Sequence, residues 1–243
     1  MSRIRERSAL VSTNADRNRR VAVVTGGSGA IGGAIAARLA SHHTVVTLGR
    51  RAEVVVDLGD TEAVRRAADA VLGRYGRCDV LVHAAAMVAF GPFDDFGLEV
   101  WRQVQAVNVE SALLLTQAFV PGMRDRGFGR VIFIVSDSYW RPPGAHMLAY
   151  IASKGALIGM ARTLAVGLGG NGIAVTAVAP GLTPTPATDV VPAEEFADVA
   201  AHQPLPRPLT PGDTAAVVAM LARDDAAALT GQTLTVDGGL VLR

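Results

Sequence analysis

The sequence predicts an α/β fold: a doubly wound parallel sheet of about seven strands with helices on both faces. Three observations carry that reading. Short continuous apolar runs such as Val21-Ala22-Val23-Val24 recur along the chain, and strands buried on both faces require such runs. Segments with apolar residues at helical spacing lie between them, and strands alternating with helices build a parallel sheet covered on both sides. At 243 residues and 50% apolar content, the chain can enclose one substantial core.

Residues 1–20 read as a disordered basic tail and 21–243 as a single folded domain. The tail holds six arginines against Glu6 and Asp16, a net of +4, so with +1 for the whole chain the body carries −3. Without the apolar core of a secretory signal, the tail is open to two readings, an arginine-rich mitochondrial presequence or a flexible bacterial-style extension. The acidic body has no excess charge for gripping a phosphate backbone, so no nucleic-acid partner is expected. No run reaches the ~18 apolar residues of a membrane span. The single Cys78 cannot form an intrachain disulfide and fits a reducing, cytoplasmic compartment. The five histidines lack metal-ligand spacing, so no metal is expected.

The first strand is Val21-Ala22-Val23-Val24. Thr25-Gly26-Gly27-Ser28-Gly29-Ala30-Ile31-Gly32 follows, then Ile35 and Leu39 at helical spacing. Strand, glycine-rich turn and helix form a Rossmann-like unit, in which glycines let the backbone approach a pyrophosphate and the helix N-terminus supplies unpaired N–H groups. Residues 44–48 are a second strand ending in Gly49-Arg50-Arg51, and 54–57 a third; the gap is too short for a crossover helix. Asp60 or Thr61 caps the next helix, whose apolar face is Ala63, Val64, Ala67, Ala68, Val71 and Leu72. Residues 79–84 are the fourth strand, 101–123 a long apolar helix containing Asn108, and 130–135 a fifth strand delivering Ser136 at its carboxyl end. The helix with Tyr150 and Lys154 stops at Gly169-Gly170-Asn171-Gly172, residues suited to a left-handed cap. Residues 173–179 are the sixth strand and 234–236 a last short one. The stretch 183–211 holds seven of the twelve prolines and reads as a lid-like loop around a short helix at 194–200. Ligands of such sheets bind outside the carboxyl ends of the strands, where the glycine turn, His83, Ser136 and Pro180 all fall.

Lys154 is the only lysine beside 22 arginines. A chain so biased toward arginine that still keeps one lysine points to a need for a compact ammonium rather than a planar fork. Residues four apart on a helix lie roughly 5–6 Å apart at Cβ, so Lys154 shares a face with Tyr150. A cation there is expected to lower the phenol pKa from about 10 and make Tyr150 a general acid or base.

With these motifs in this order, the stretch from Arg20 to Gly239 resembles the short-chain dehydrogenase/reductase family, in its single-domain branch similar to 3-oxoacyl-carrier-protein reductases and related ketoreductases. The resemblance implies a dinucleotide-binding and catalytic domain. It assigns the cofactor to Gly26, Ser28, Ile31, Gly32, Asp57, Leu58, Ala84, Pro180, Gly181 and Thr185. Tyr150 would exchange a proton with the substrate oxygen, Ser136 would hydrogen-bond that oxygen, Lys154 would bind the nicotinamide ribose, and Asn108 would hold a water in a proton relay. NADP(H) is the expected cofactor, because Arg50 and Arg51 stand where an acid would otherwise hold a ribose hydroxyl, and no acid lies between Ala30 and Glu53.

Four features depart from the family pattern. Ala30 replaces the middle glycine of the loop, and His83-Ala84-Ala85-Ala86 replaces Asn-Asn-Ala-Gly, with His83 read as a structural replacement. The helix between strands two and three is missing, as in the dihydro-dihydroxybenzoate dehydrogenases of the family. Ser136 precedes Tyr150 by one residue more than usual, which leaves Ser138 as a rival. Tyr139 and Trp140 either stack on an aromatic substrate or pack the loop, and Arg141 either meets a carboxylate or is solvated. The expected activity is NADP(H)-dependent reduction of a 3-oxoacyl or related ketone. A cyclic-diol dehydrogenase and a catalytically idle dinucleotide sensor are the rival readings. The two long helices are apolar on more faces than one sheet can cover, so a homotetramer or homodimer is expected.

Overall fold

The computed structural model describes residues 19–242. The tail assigned to residues 1–20 therefore lies almost wholly outside the described residues. Seven parallel strands run in the order β3-β2-β1-β4-β5-β6-β7: β1 Val21–Thr25, β2 Thr44–Gly49, β3 Val54–Val55, β4 Val80–His83, β5 Gly129–Ile134, β6 Ile173–Pro180 and β7 Thr233–Val236. Alternate side chains of these strands feed two apolar layers. On one face Val23, Leu81, Val131 and Val175 meet α2 (Thr61–Tyr75), α4 (Ser111–Arg126) and α5 (Leu148–Leu168). On the other, Val24, Val82 and Ile132 meet α1 (Ala30–Leu39) and α7 (Pro211–Leu221).

The third strand is shorter than the predicted 54–57. Val56 and Leu58 are buried, but Asp57 turns to accept the Gly59 N–H at 2.9 Å. So brief a strand can pair in parallel after a tight loop, held by Glu53 N–H on Thr47 Oγ1 and Val56 N–H on the Gly49 carbonyl. The cap of α2 is Asp60, whose carboxylate accepts from the N–H groups of Glu62 and Ala63. Such a cap contributes about 1 kcal/mol.

The helix predicted over 101–123 is interrupted. α3 (Leu98–Gln105) passes into a π-turn, Ala106–Glu110, before α4 begins. Asn108 sits inside that turn and is fully buried. α5 ends through a 3-10 turn at Gly172, whose φ of +73° needs glycine and whose Cβ, if present, would strike the Gly127 carbonyl. The stretch 183–211 contains α6 (Ala193–His202) and returns to the sheet through the Leu205 N–H on the Gly238 carbonyl.

Among the described residues one helical stretch, Ala145–Asn171, is long and apolar enough to cross a membrane, although polar residues such as Lys154 and Arg162 interrupt its apolar run. Its apolar residues Leu157, Ile158, Ala161, Ala165 and Leu168 instead belong to the core.

The two rims of the sheet differ in chemistry. At the amino ends, the fully buried Asp79 carboxylate is shared by Arg77, Arg126 and the Val21 N–H. Arg20 pairs with Asp224, and the guanidinium groups of Arg20 and Arg130 both stack on Phe128. At the carboxyl ends, Thr25 lies beside His83 across β1 and β4, where the chain reverses its order through the sheet. Ligands favour such a switch point.

Candidate active site

The glycine turn packs against both neighbours. Gly26 has a φ of +69°, and a Cβ there would lie 2.8 Å from Ala85 Cα; one on Gly32 would strike the Gly26 carbonyl. No side chain caps α1 and no acid sits in its first turn, so its N-terminal N–H groups suit an anionic group. Ser28 is exposed, Ile31 half-buried and Gly32 buried. Ala84 is half-buried, and its N–H donates to Thr25 Oγ1.

Arg50 and Arg51 are exposed just past β2, and among the described residues neither forms an ion pair. The nearest acid, Glu53, is taken up by α2: it accepts from Tyr75 Oη at 2.7 Å and pairs with Arg74 at 3.1 Å. That burial and that carboxylate push the Tyr75 phenol up to about 12. Asp57 is exposed and Leu58 buried at the end of the same strand. Pro180 and Gly181 are buried at the end of β6, and Thr185 opens the short 3-10 turn Pro186–Thr188.

Ser136, Tyr150 and Lys154 converge beyond the end of β5. Lys154 is 2% exposed and donates to the Ile134 carbonyl at 2.8 Å. Its Nζ lies 5.3 Å from the centre of the Tyr150 ring. Burial pushes the ammonium down to about 7. Burial also pushes the Tyr150 phenol up to about 12, against the Ser136 hydroxyl, which favours the phenolate; the Asp137 charge adds to the rise. The expected lowering of the phenol pKa by Lys154 is thus not what this geometry gives: burial is the largest effect, and the opposing one comes from the Ser136 hydroxyl. Tyr150 is protonated at neutral pH and suited to donate.

Ser136 is the serine whose hydroxyl acts on Tyr150. Its Oγ donates to Ser138 Oγ at 3.0 Å, so Ser138 stands one step behind. Asn108 braces the site from the π-turn. Its Oδ1 accepts the Met87 N–H at 2.7 Å, and its Nδ2 donates to the Met87 carbonyl and to Ser153 Oγ. Both Nδ2 hydrogens are committed, so a water can be held here only elsewhere, as on the backbone carbonyl. Ser153, absent from the sequence reading, in turn donates to the Tyr150 carbonyl at 2.6 Å. Its signal was a small hydroxyl between Tyr150 and Lys154 on a largely apolar helix.

Asp137 was also missed. Burial and the nearby Asp237 charge push its carboxyl up to about 6. Tyr139 lies over Gly155 of α5 and meets Trp140 edge to face at 5.1 Å; Trp140 packs against the core, while Tyr139 stays 41% exposed. Among the described residues no cluster of three metal-ligating side chains occurs.

A family model described as enoyl-(acyl carrier protein) reductase matches residues 28–241. The chain belongs to the short-chain dehydrogenase/reductase family. This short-chain dehydrogenase/reductase is 33% identical over 242 residues to glucose 1-dehydrogenase of Gluconobacter oxydans, covering 90% of this chain and 91% of that one. It is 34% identical over 190 residues to the 3-oxoacyl-acyl-carrier-protein reductase of Thermotoga maritima, covering 77% of this chain and 76% of the relative. A crystal structure of a substituted actinorhodin polyketide ketoreductase with NADPH superimposes at a TM-score of 0.83 and 30% identity, covering 92% of this chain and 98% of that chain.

Proposed function

We propose that the protein is an NADP(H)-dependent ketone reductase acting on a 3-oxoacyl or related keto substrate in the cytoplasm. The observation that carries this reading is the convergence of Ser136, Tyr150 and the buried Lys154 beyond the end of β5. NADP(H) fits the residues present. The uncapped start of α1 would take the pyrophosphate, Arg50 the ribose phosphate, Asp57 and Leu58 the adenine, and Lys154 the nicotinamide ribose, beside Ala84, Pro180, Gly181 and Thr185. When bound, the reduced nicotinamide supplies the hydride.

The protein supplies orientation and the proton. Ser136 donates a hydrogen bond to the substrate oxygen, and Tyr150 passes its proton to that oxygen as negative charge develops there. A phenol held near 12 by burial favours this direction, because it enters the reaction protonated. Lys154 then offsets the charge left on the tyrosine.

A second reading, oxidation of a cyclic diol, keeps one observation in its favour: the crossover between β2 and β3 is reduced to residues 50–53. Assays with NADPH over a panel of 3-oxoesters, cyclic ketones and, in reverse, cyclic diols with NADP⁺ separate the two. Tyr150→Phe and Lys154→Arg should each leave less than about a tenth of kcat/KM, a loss above ~1.4 kcal/mol. Retention of more by Lys154→Arg would remove the case for a point charge at this place. No turnover by the unaltered protein in either direction would leave the idle sensor.

A further inference from the structure

The link after β2 reads Arg50-Arg51-Ala52-Glu53, one acid behind two arginines. It folds back on the glycine turn. A Cβ on Gly49 would stand 3.8 Å from the Gly26 nitrogen and 3.9 Å from Ala52 Cβ, and one on Gly27 would strike the Thr47 methyl group. The hydroxyl of that same threonine accepts the Glu53 N–H at 3.1 Å. Glu53 is thus one side chain removed from the turn at which α1 starts. A carboxylate in such a link is what a bare ribose 2′-hydroxyl calls for, and what a 2′-phosphate repels.

The carboxylate is engaged by α2 instead. Tyr75 donates from Oη to Glu53 Oε1 at 2.7 Å, and the Arg74 guanidinium lies 3.1 Å from the same oxygen. Among the described residues neither Arg50 nor Arg51 forms an ion pair with it, although both are close in sequence. Tyr75 and Arg74 sit in the last turn of α2, which closes at Gly76 with φ +70° and the Gly76 N–H on the Leu72 carbonyl at 2.8 Å. The Tyr75 ring packs against the core, and the Arg74 guanidinium lies over it at 5.0 Å. Arg74 is 67% exposed, and an exposed ion pair holds little by itself, whereas a hydrogen bond from an anchored phenol to a charged group holds more. Burial first, and then Glu53, push that phenol up to about 12, so it remains a donor at neutral pH.

We propose that Tyr75 and Arg74 determine cofactor specificity at one remove: by holding the Glu53 carboxylate on α2 they leave Arg50 and Arg51 unopposed for a 2′-phosphate and withhold the one acid of the link from a ribose hydroxyl. Tyr75 is the latch and Arg74 its charge partner. Released, Glu53 would repel the phosphate, compete for the two arginines and offer an acceptor to a 2′-hydroxyl, so that one broken contact both weakens the preferred cofactor and favours its rival. The proposal rests on the placing of the ribose phosphate at Arg50, and it is read by binding rather than by turnover.

Calorimetric titration of the full-length protein with NADPH and with NADH tests it. Tyr75→Phe keeps the ring in the core while removing the donor, and Arg74→Ala removes the second hold. The double variant should bind NADPH about tenfold more weakly and NADH equally well or up to about threefold more tightly. Adding Glu53→Gln should return the Kd for NADPH to within about twofold of the unaltered protein, a rescue that damage to the packing of α2 would not allow. An unchanged Kd for NADPH in the double variant, or no recovery on adding Glu53→Gln, would overturn the proposal. Equal binding of NADPH and NADH by the unaltered protein would sink the Arg50 assignment alone, with the loss and rescue at Glu53 still deciding this one.

Discussion

Ser136 and Ser138 differ by one step in a hydrogen-bond chain, and that step decides their order in function. Ser136 acts directly on Tyr150, whereas Ser138 receives the Ser136 hydroxyl. Ser136→Ala should therefore lower kcat more than Ser138→Ala, and steady-state kinetics giving the reverse order would transfer the role. Asp137 offers a pH test. Its carboxyl sits at about 6 when folded against a usual 3.8, so the folded state binds the extra proton between these values. Stability from this group falls as pH rises through that window, and the cost is fully present above it. Asp137→Asn should raise stability at pH 8 by up to about 3 kcal/mol, several degrees in Tm, and make almost no difference at pH 3.5. An equal Tm change at both pH values would show that the group does not titrate as described. The pairing of Tyr150 with Lys154 was legible because helical spacing is local and the lysine is unique. The direction of the phenol shift was not, since desolvation depends on what the fold packs around the ring.

The short link between β2 and β3 is the element on which cofactor choice turns. Among the described residues Arg50 forms no ion pair, while Glu53, the nearest acid in sequence, is held by Tyr75 and Arg74 on α2. A guanidinium–phosphate pair contributes about 1.5–3 kcal/mol, or roughly ten- to a hundredfold in affinity. NADPH should be preferred to NADH by at least about tenfold in kcat/KM, and Arg50→Asp should collapse that preference. Equal use of both cofactors by the unaltered protein would contradict it. The missing crossover was visible as a gap too short for a helix. The π-turn was not, because Ala106-Val107-Asn108-Val109-Glu110 has no glycine or proline to mark it and continues the apolar pattern on both sides. Only the hydrogen bonds of the Asn108 side chain to Met87 and Ser153 reveal why the helix is rewound there.

The parallel sheet, both helical layers and the crevice at the carboxyl ends follow from alternating apolar runs and helical periods, as β1, β4 and β6 illustrate, whereas the strand order is set by pairings that no local pattern records. What the sequence could not separate was the apolar character of α5 as core from its apolar character as an outer face. In the fold, Leu157, Ala161 and Leu168 point inward, whereas Val166 of α5 is 88% exposed and Leu113 of α4 is 41% exposed. These uncovered residues lie on the helices expected to meet a second copy, and light scattering at micromolar concentration should give two or four times the 25.2 kDa chain mass. A mass near one chain would remove the expectation. The two rims of the sheet have one more consequence. The four steps of β1 from Val21 to Thr25, at about 3.3 Å each, put roughly 13 Å between the Asp79 clamp and Thr25, beyond the ~7–10 Å within which substitutions couple. Changes that retune the reaction and changes that erode the fold therefore add almost independently, so a library confined to the loops after β4, β5 and β6 can explore new substrates while its foundation stays the same.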